Sequence, residues 1–240
     1  MKFKCFLQKN KYWLYILYVP LYLGLFFLVE KLVDGTSPYW ISYLPIDSKI
    51  PFIDWFVIFY YLWYPLLVGV GLWLFIKDKK SYERFMKMIM YGFTFSLIFF
   101  LIVPNGQNLR PTEFENETIF TRLIGTLYKV DTNTNVFPSI HVYGSLICIF
   151  AILDTDTIKS ILFKSLIMVI VIFICASTIF IKQHSFLDLI GGVAMFVPLY
   201  FAVYRERIFM PAVNVSENIY VNVVEENGCY YEQIEKKLER

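Results

Sequence analysis

The most uniformly apolar of the long uncharged segments limits the fold of this chain more than any other feature. Residues 55–76, WFVIFYYLWYPLLVGVGLWLFI, run for 22 residues without a charge, and about 20 apolar residues in a helix are enough to cross a bilayer. Hydrophobic residues make up 58% of the 240-residue chain and charged residues only 18%, whereas a soluble domain carries about 25% charged residues. The sequence therefore predicts a polytopic membrane protein.

Absence of charge places six candidate membrane spans along the chain. They lie at residues 12–33, 55–76, 88–104, 137–153, 161–181 and 186–204. The expected fold class is all-α, with a six-helix transmembrane bundle over residues 1–207 and a short polar cytoplasmic tail over residues 208–240. The end of this tail, YYEQIEKKLER, is predicted to form a short helix.

Lysine and arginine are distributed unequally between the two sides that these spans define. With both termini inside, thirteen of these residues flank the spans on the cytoplasmic side and six lie outside, as the positive-inside rule requires. We therefore expect a protein of the cell membrane with both termini in the cytoplasm. The net charge of +2 gives no indication of nucleic-acid binding. The apolar spans make the lipid bilayer the expected partner.

The chain has only two histidines, and both lie where an apolar span meets water. His141 is part of NVFPSIHVYGS at the start of the fourth span, and His184 is part of FIKQHSFLDLIGG between the fifth and sixth spans. The predicted topology puts both on the outer side, together with Asp188, Lys182 and the Arg110 of PNGQNLRP. Ionisable groups at such positions are candidates for a functional site.

Residues of these types together support phosphoryl transfer. A neutral imidazole can attack phosphorus and form a phosphohistidine, and a second, protonated imidazole can give its proton to the leaving oxygen. His184 and Asp188 are four residues apart, so the carboxylate can hold one ring nitrogen and fix the tautomer. Arg110 and Lys182 can hold phosphate oxygens, together with the helix N-terminus that PSIH, with Ser139, predicts.

Each of these residues also has a purely structural interpretation. Ser185 and Asp188 have the spacing of a capping box, in which Asp188 only caps the sixth helix. Lys182 and His184 can be interfacial anchors, and Arg110 can belong to an ordinary outer loop. Considered one at a time, Lys182, Arg110 and Asp188 favour this structural interpretation. The occurrence of both histidines beside them on one predicted face favours a functional site instead.

Three motifs, in this order across six spans, resemble those of the type 2 phosphatidic acid phosphatase superfamily. The family motifs read K-x6-R-P, P-S-G-H and S-R-x5-H-x3-D, and this chain has RP, PSIH and H-x-x-x-D. The resemblance implies that His184 is the nucleophile, Asp188 its orienting partner and His141 the general acid. It also implies that Arg110 and Ser139 bind the phosphate.

Three positions depart from the family motifs. Val103 stands at the lysine position of the first motif, Thr178 at the arginine position of the third, and Ile140 at the glycine position of the second. Lys182 is hypothesised to replace one of the two missing cations. Inositol phosphorylceramide synthases and sphingomyelin synthases, which are similar, likewise keep the His, His, Asp core with altered surroundings, and they transfer a phospho-headgroup to an alcohol instead of water.

The sequence therefore predicts an integral membrane hydrolase that removes phosphate from a lipid phosphate or a prenyl pyrophosphate at the outer membrane face. No metal and no other cofactor is expected, because histidine and arginine supply the nucleophile and neutralise the charge. One alternative is a phospho-headgroup transferase, and another is a non-catalytic lipid transporter or lipid-binding protein. A zinc site formed by His141, His184 and Asp188 is a further alternative.

Overall fold

Helices account for most of the structure. The computed structural model describes residues 2–33, 38–209, 219–226 and 229–236. Within these ranges the helices are α1 (Lys2–Leu32), α2 (Val57–Lys77), α3 (Lys79–Ile102), α4 (Ile119–Val130), α5 (Ile140–Asp154), α6 (Ile161–Phe180) and α7 (Phe186–Phe209). The strands are β1 (Trp40–Ile41), β2 (Asn105–Gly106), β3 (Ile219–Glu226) and β4 (Cys229–Lys236), and two short 3-10 helices, Pro45–Ser48 and Asp54–Phe56, precede α2. Because the structure is 74% helical, the expectation of a mainly helical fold is confirmed.

Five helical segments in the described part of the chain are long and apolar enough to cross a membrane. They are Tyr12–Leu32, Asp54–Lys77, Lys79–Ile102, Ile161–Phe180 and Phe186–Arg205. The predicted span at residues 137–153 is the shorter apolar helix α5, with 15 residues. At 1.5 Å per residue such a helix is about 22 Å long, and the hydrocarbon core of a bilayer is roughly 30 Å thick. The prediction of several helices of membrane-spanning length is confirmed, whereas a count of six complete spans is not.

The outward-facing side chains of the bundle are apolar. Leu17 in α1, Leu72 in α2 and Ile172 in α6 are 62%, 56% and 58% exposed. Soluble proteins rarely expose large continuous apolar areas, but lipid tails are as apolar as leucine. The exterior of the bundle is therefore suited to contact with lipid.

Helix α5 lies in the centre of the bundle. It packs against α2, α3, α6 and α7, and most of its side chains are buried. A Cβ atom on Gly144 would lie 2.9 Å from the ring of Trp63 in α2, so glycine permits the close approach of these two helices. This packing places His141, in the first turn of α5, inside the bundle.

The loops at one end of the bundle are joined by backbone hydrogen bonds. Strands β1 and β2 pair in parallel, with Trp40 opposite Asn105 and Ile41 opposite Gly106. Gly106 also forms a bridge with Thr134, in the loop before α5. We refer to this end as the site end, because the two histidines lie there.

The opposite end of the bundle is held by an ion pair between α3 and α5. A guanidinium nitrogen of Arg84 lies 2.6 Å from the carboxylate of Asp154, and Asp78 caps α3 by accepting a hydrogen bond of 3.0 Å from the N–H of Ser81. Helix α3 therefore begins at Lys79, nine residues before the predicted start of the third span. The first turns of α3 carry charged residues, so a search for uncharged segments does not find them. The cap and the ion pair stabilise these turns.

Helix α4 is also absent from the sequence-based prediction, because it is amphipathic rather than uniformly apolar. Thr118 caps it by accepting a hydrogen bond from the N–H of Thr121 at 3.1 Å. Thr121, Ile124 and Leu127 are buried at a spacing of three residues, whereas Arg122 is exposed. Helix α4 thus lies on the bundle with one face packed against it.

The tail contains a β-hairpin where a short helix was expected. Strands β3 and β4 pair antiparallel, with Ile219 opposite Lys236 and Glu226 opposite Cys229. The prediction of a helix over residues 230–240 is therefore wrong for residues 230–236, and residues 237–240 lie outside the described part of the chain. The sequence IYVNVVEE of β3 is rich in β-branched residues, which favour strands over helices.

Candidate active site

A tight turn at the end of α6 fixes the backbone of His184. The N–H of Gln183 donates to the carbonyl of Thr178 at 3.0 Å, and the N–H of Lys182 donates to the carbonyl of Ile179 at 3.2 Å, which is the pattern of a Schellman motif. Lys182 occupies the left-handed position of this motif with φ 54°, where glycine is usual. The N–H of His184 also donates to the carbonyl of Thr178, at 2.9 Å.

Asp188 takes both of the roles that its spacing suggests. Its Oδ2 accepts a hydrogen bond of 2.8 Å from the N–H of Ser185, and the Oγ of Ser185 accepts one of 3.3 Å from the N–H of Asp188. The capping box at the start of α7 is therefore present. The same Oδ2 lies 3.3 Å from Nδ1 of His184. This contact leaves Nε2 as the ring nitrogen of His184 that can attack a substrate.

The second carboxylate oxygen of Asp188 is bound by Ser42, a residue that no motif indicates. The Oγ of Ser42 donates to Oδ1 of Asp188 and lies 2.8 Å from the Oγ of Ser185. The backbone of Ser42 is fixed by the β1–β2 pairing, since its N–H donates to the carbonyl of Gly106 at 2.8 Å. Both oxygens of the buried carboxylate have partners, and this fixes its orientation toward the imidazole.

His141 lies among aromatic side chains of α2. Its ring centroid is 4.3 Å from that of Tyr60 and 4.4 Å from that of Trp63. Its Nδ1 lies 3.4 Å from the hydroxyl oxygen of Tyr60. Its Nε2 is buried and has no hydrogen-bond partner among the described residues. A buried polar atom without a partner is uncommon in a folded protein and calls for a ligand or another specific explanation.

The two histidine rings are neighbours, although 43 positions separate them in the sequence. Their centroids are 5.8 Å apart. Two imidazoles at this separation can act on the same bound group, one as a nucleophile and the other as a proton donor. The structure thus brings together the three residues predicted to be catalytic, His184, His141 and Asp188.

Arg110 is held at the site end by three backbone carbonyls and one side chain. Its Nη1 donates to the carbonyl of Tyr128 at 3.1 Å, and its Nη2 donates to the carbonyls of Asp131 and Thr132 at 2.6 Å each and to Oε1 of Gln183 at 2.8 Å. Burial lowers the pKa of Arg110, but a guanidinium stays charged in proteins. Its Nε is buried without a partner in the described part of the chain, which leaves one donor for an anion.

Lys182 directs its ammonium group at the loop before α2. The Nζ atom donates to the carbonyls of Asp47 and Ile50 at 3.0 and 2.6 Å, and burial lowers the pKa of Lys182. The carboxylate of Asp47 accepts a hydrogen bond of 2.7 Å from the N–H of Phe186, the first residue of α7. In this arrangement Lys182 anchors a loop, and its contact with phosphate stays a prediction.

Ser139 caps α5 and ties it to α7. Its Oγ accepts a hydrogen bond of 3.4 Å from the N–H of Val142, so the helix start predicted from PSIH is present. The N–H of Ser139 donates to the carbonyl of Asp188 at 3.1 Å. The N-terminus of α5, which favours anions, consequently begins beside the histidine pair, and a direct contact of Ser139 with phosphate stays a prediction.

The described residues give no support to the zinc alternative. No group of three or more His, Cys, Asp and Glu side chains within these ranges has the geometry to hold a metal ion. Instead, Asp188 is hydrogen-bonded to His184, and His141 is hydrogen-bonded to Tyr60.

The arrangement and order of these motifs are those of a known family. A family model described as the PAP2 superfamily matches residues 40–202, which is more than half of the 240-residue chain. The chain belongs to the PAP2 superfamily. PAP2 proteins are in general phosphatases and phosphotransferases, so membership supports a phosphoryl-transfer enzyme with a membrane-embedded helical fold. No curated protein and no solved structure gives a significant match to the chain.

Several polar residues of this PAP2 site are not found by reading the sequence. Ser42 and Asp47 follow the first span, where only their polarity distinguishes them. Tyr60 lies within the uncharged segment of residues 55–76, and Asp131 follows an amphipathic helix. Neither has a fixed spacing from a histidine. Their contacts are distant in sequence, since 146 positions separate Ser42 from Asp188. A pattern within one segment cannot show such a contact.

Proposed function

We propose that this PAP2 protein is an integral membrane hydrolase that removes phosphate from a lipid phosphate or a prenyl pyrophosphate through a phosphohistidine. One observation carries the proposal: the only two histidines of the chain have ring centroids 5.8 Å apart, and Asp188 holds one of them by Nδ1. A nucleophile with an orienting carboxylate and a neighbouring proton donor is the arrangement that covalent phosphoryl transfer requires.

In the first step Nε2 of His184 attacks phosphorus. The P–N bond forms as the bond from phosphorus to the lipid oxygen breaks, and the protonated imidazole of His141 gives its proton to that oxygen. Asp188 keeps a proton on Nδ1 of His184, so the lone pair is on Nε2. The products are the lipid alcohol, or a phosphorylated alcohol from a pyrophosphate, and a phosphohistidine at His184.

In the second step water replaces the histidine on phosphorus. The neutral imidazole of His141 takes a proton from the attacking water, an oxygen–phosphorus bond forms, and the P–N bond to His184 breaks. Inorganic phosphate leaves, and His141 is again protonated for the next cycle. One residue thus acts as acid and then as base, as microscopic reversibility expects of a two-step displacement.

The negative charge of the phosphate is balanced by groups at the site end. Arg110 supplies a fixed positive charge and a free Nε, and the N-terminus of α5 at Ser139 supplies N–H groups. For Lys182 to reach the phosphate, its ammonium group has to leave the carbonyls of Asp47 and Ile50.

The substrate is proposed to be an amphiphile in the outer leaflet of the cell membrane. The site lies at one end of a bundle whose exterior is apolar, so a headgroup reaches it while its chains remain in lipid. Thirteen lysine and arginine residues flank the spans on the side of the termini, against six on the side of the site. This bias supports cytoplasmic termini and an outward-facing site.

Transfer of a phospho-headgroup to a lipid alcohol is the second candidate, and two uncharged residues favour it. Val103 and Thr178 stand where the PAP2 motifs have cations. Thr178 is also fully buried, and its carbonyl accepts hydrogen bonds from the N–H groups of Gln183 and His184. A site with fewer cations holds a doubly charged phosphate monoester less strongly. A phosphodiester headgroup carries a single charge and suits such a site better.

Purified protein in detergent, assayed against phosphatidate, a prenyl pyrophosphate and a phosphosphingolipid, tests the proposal. A phosphatase releases inorganic phosphate from at least one of them, at a rate unaffected by excess EDTA and by added diacylglycerol. A transferase releases little until a lipid alcohol is added and then yields a new phospholipid. Absence of turnover on every substrate, with the His184→Ala protein binding the same lipids as well as the parent, would instead favour a lipid-binding protein.

A further inference from the structure

The imidazole of His141 has one hydrogen-bond partner among the described residues, and that partner belongs to α2. The hydroxyl oxygen of Tyr60 lies 3.4 Å from Nδ1 of His141. The two rings also pack against each other in a tilted arrangement, with centroids 4.3 Å apart and planes inclined by 32°. Tyr60 is fully buried, so water does not compete for this contact.

The hydroxyl of Tyr60 is bound in turn by a carboxylate. It donates a hydrogen bond of 2.5 Å to Oδ2 of Asp131, at the C-terminal end of α4. The backbone carbonyl of Asp131 accepts hydrogen bonds from Arg110 and from Nε2 of Gln183. Asp131 is therefore fixed in place by the same residues that surround the turn carrying the nucleophile.

The direction of these hydrogen bonds determines which nitrogen of His141 carries a proton. A tyrosine hydroxyl has a single hydrogen. Because Tyr60 gives this hydrogen to Asp131, its oxygen can only accept from His141. A neutral His141 must then carry its hydrogen on Nδ1, and Nε2 is left with a free lone pair. Nε2 is the buried atom without a partner among the described residues.

We propose that Tyr60 and Asp131 are positioning residues that hold His141 in the Nδ1–H tautomer and so direct its Nε2 at the reacting oxygen. The proposal rests on the proposed function, in which Nε2 of His141 gives a proton to the leaving oxygen and later takes one from water. Asp131 and Tyr60 thus do for His141 what Asp188 does for His184. The difference is that Asp188 binds its histidine directly, whereas Asp131 acts through a tyrosine.

Nitrogen-15 NMR of the ring nitrogens tests the tautomer without any substrate. Protein labelled only in histidine, and carrying no histidine tag, has two imidazoles, and a His184→Ala variant leaves His141 alone. The Nδ1–H tautomer of neutral His141 is expected in the parent, and a mixture of tautomers in Tyr60→Phe. Finding Nε2–H in the parent would mean that Tyr60 donates to His141 and would overturn the proposal. This result is independent of whether the protein hydrolyses lipid phosphates.

Kinetics test whether the two residues act through His141. Tyr60→Phe and Asp131→Asn are each expected to lower kcat/KM for a lipid phosphate by about 10- to 150-fold. This loss corresponds to the free energy of one hydrogen bond to a charged group. For an aryl phosphate, whose leaving group needs no proton, the loss should nearly disappear. The value of kcat/KM is the suitable measure because it reports formation of the phosphohistidine only.

A double-mutant cycle separates positioning from general damage. Tyr60→Phe should have no further effect in a His141→Ala protein, because the residue through which it acts is gone. An equal loss in both backgrounds would show that Tyr60 contributes only to packing. Tyr64→Phe is the matched control: its ring stands edge-on to His141 at 6.1 Å, it removes the same atom from the same helix, and it should retain the parent kcat/KM.

Discussion

The carbonyl oxygen of Ser139 lies 2.7 Å from the position that a Cβ atom would take on Gly192. Ser139 is the N-cap of α5 and Gly192 lies in the second turn of α7, so the two helices are in backbone contact beside the histidine pair. A Cβ atom essentially never comes this close to a backbone oxygen. The GG pair of FLDLIGG therefore sets the distance between the helix that carries His141 and the helix that carries Asp188.

Gly192→Ala is expected to displace the start of α5 and to reduce turnover strongly. A displacement of about 1 Å at a catalytic group can cost on the order of 10²-fold in rate. The comparison is Gly69→Ala in α2, where a Cβ atom meets nothing within 4 Å. Both proteins should be assayed for turnover and for thermal unfolding. Equal turnover by the two variants would show that α5 and α7 can move apart without displacing the catalytic groups.

Asp188→Asn should separate the two roles of this carboxylate. An asparagine oxygen can still accept the hydrogen bond from the N–H of Ser185, so the helix cap and the melting temperature should be largely kept. The amide cannot hold the imidazole of His184 in the required tautomer, and activity should fall by up to about 10⁴-fold. Ser185→Ala provides the opposite case, with about 0.5–2 kcal/mol of lost stability and a much smaller loss of rate. Near-full activity in Asp188→Asn would leave Asp188 as a cap only.

What the sequence predicts correctly here depends on local patterns. The cap at Ser139 and the capping box at Asp188 each lie within four residues, and both histidines lie at the ends of apolar segments, which is how the sequence places them at one end of the bundle. The contact between Tyr60 and Asp131 joins residues 71 positions apart, and no periodicity indicates it. The direction of the Lys182 side chain likewise depends on a loop from another part of the chain.

Lys182→Met should destabilise the protein more than it affects substrate binding. Two carbonyl groups lose their charged donor, which costs about 1–3 kcal/mol, and this should appear as a lower melting temperature. Lys49→Met, at an exposed position of the neighbouring loop, should leave the melting temperature unchanged. A rise in KM for lipid phosphates without a fall in melting temperature would support the predicted contact of Lys182 with phosphate instead.

The orientation of the bundle can be measured by thiol labelling in intact cells. In a protein whose four native cysteines are replaced by alanine, Asn108→Cys at the site end should react with an impermeant thiol reagent. Lys79→Cys at the opposite end should not react until the membrane is opened. Both positions are exposed, so a difference in labelling reports the side of the membrane. Labelling of position 79 alone would place the site end in the cytoplasm.

His184→Ala and His141→Ala should differ in kind, because one removes the nucleophile and the other a proton donor. Without His184 no phosphohistidine can form, and phosphate release should fall to background for every substrate. Without His141 the rate for lipid phosphates should fall by about 10²–10⁴-fold, the usual contribution of a general acid. The loss in kcat/KM should be much smaller for aryl phosphates, which leave without a proton.

Trapping of the intermediate tests this division directly. Rapid quenching without acid, after addition of substrate labelled in the phosphoryl group, should leave label on the parent protein and none on His184→Ala. In His141→Ala the label should accumulate if breakdown of the phosphohistidine, which uses the same imidazole as a base, becomes the slower step. Peptide mapping should place the label at residue 184. Label at residue 141 would exchange the two roles, and Asp188 would then orient the acid rather than the nucleophile.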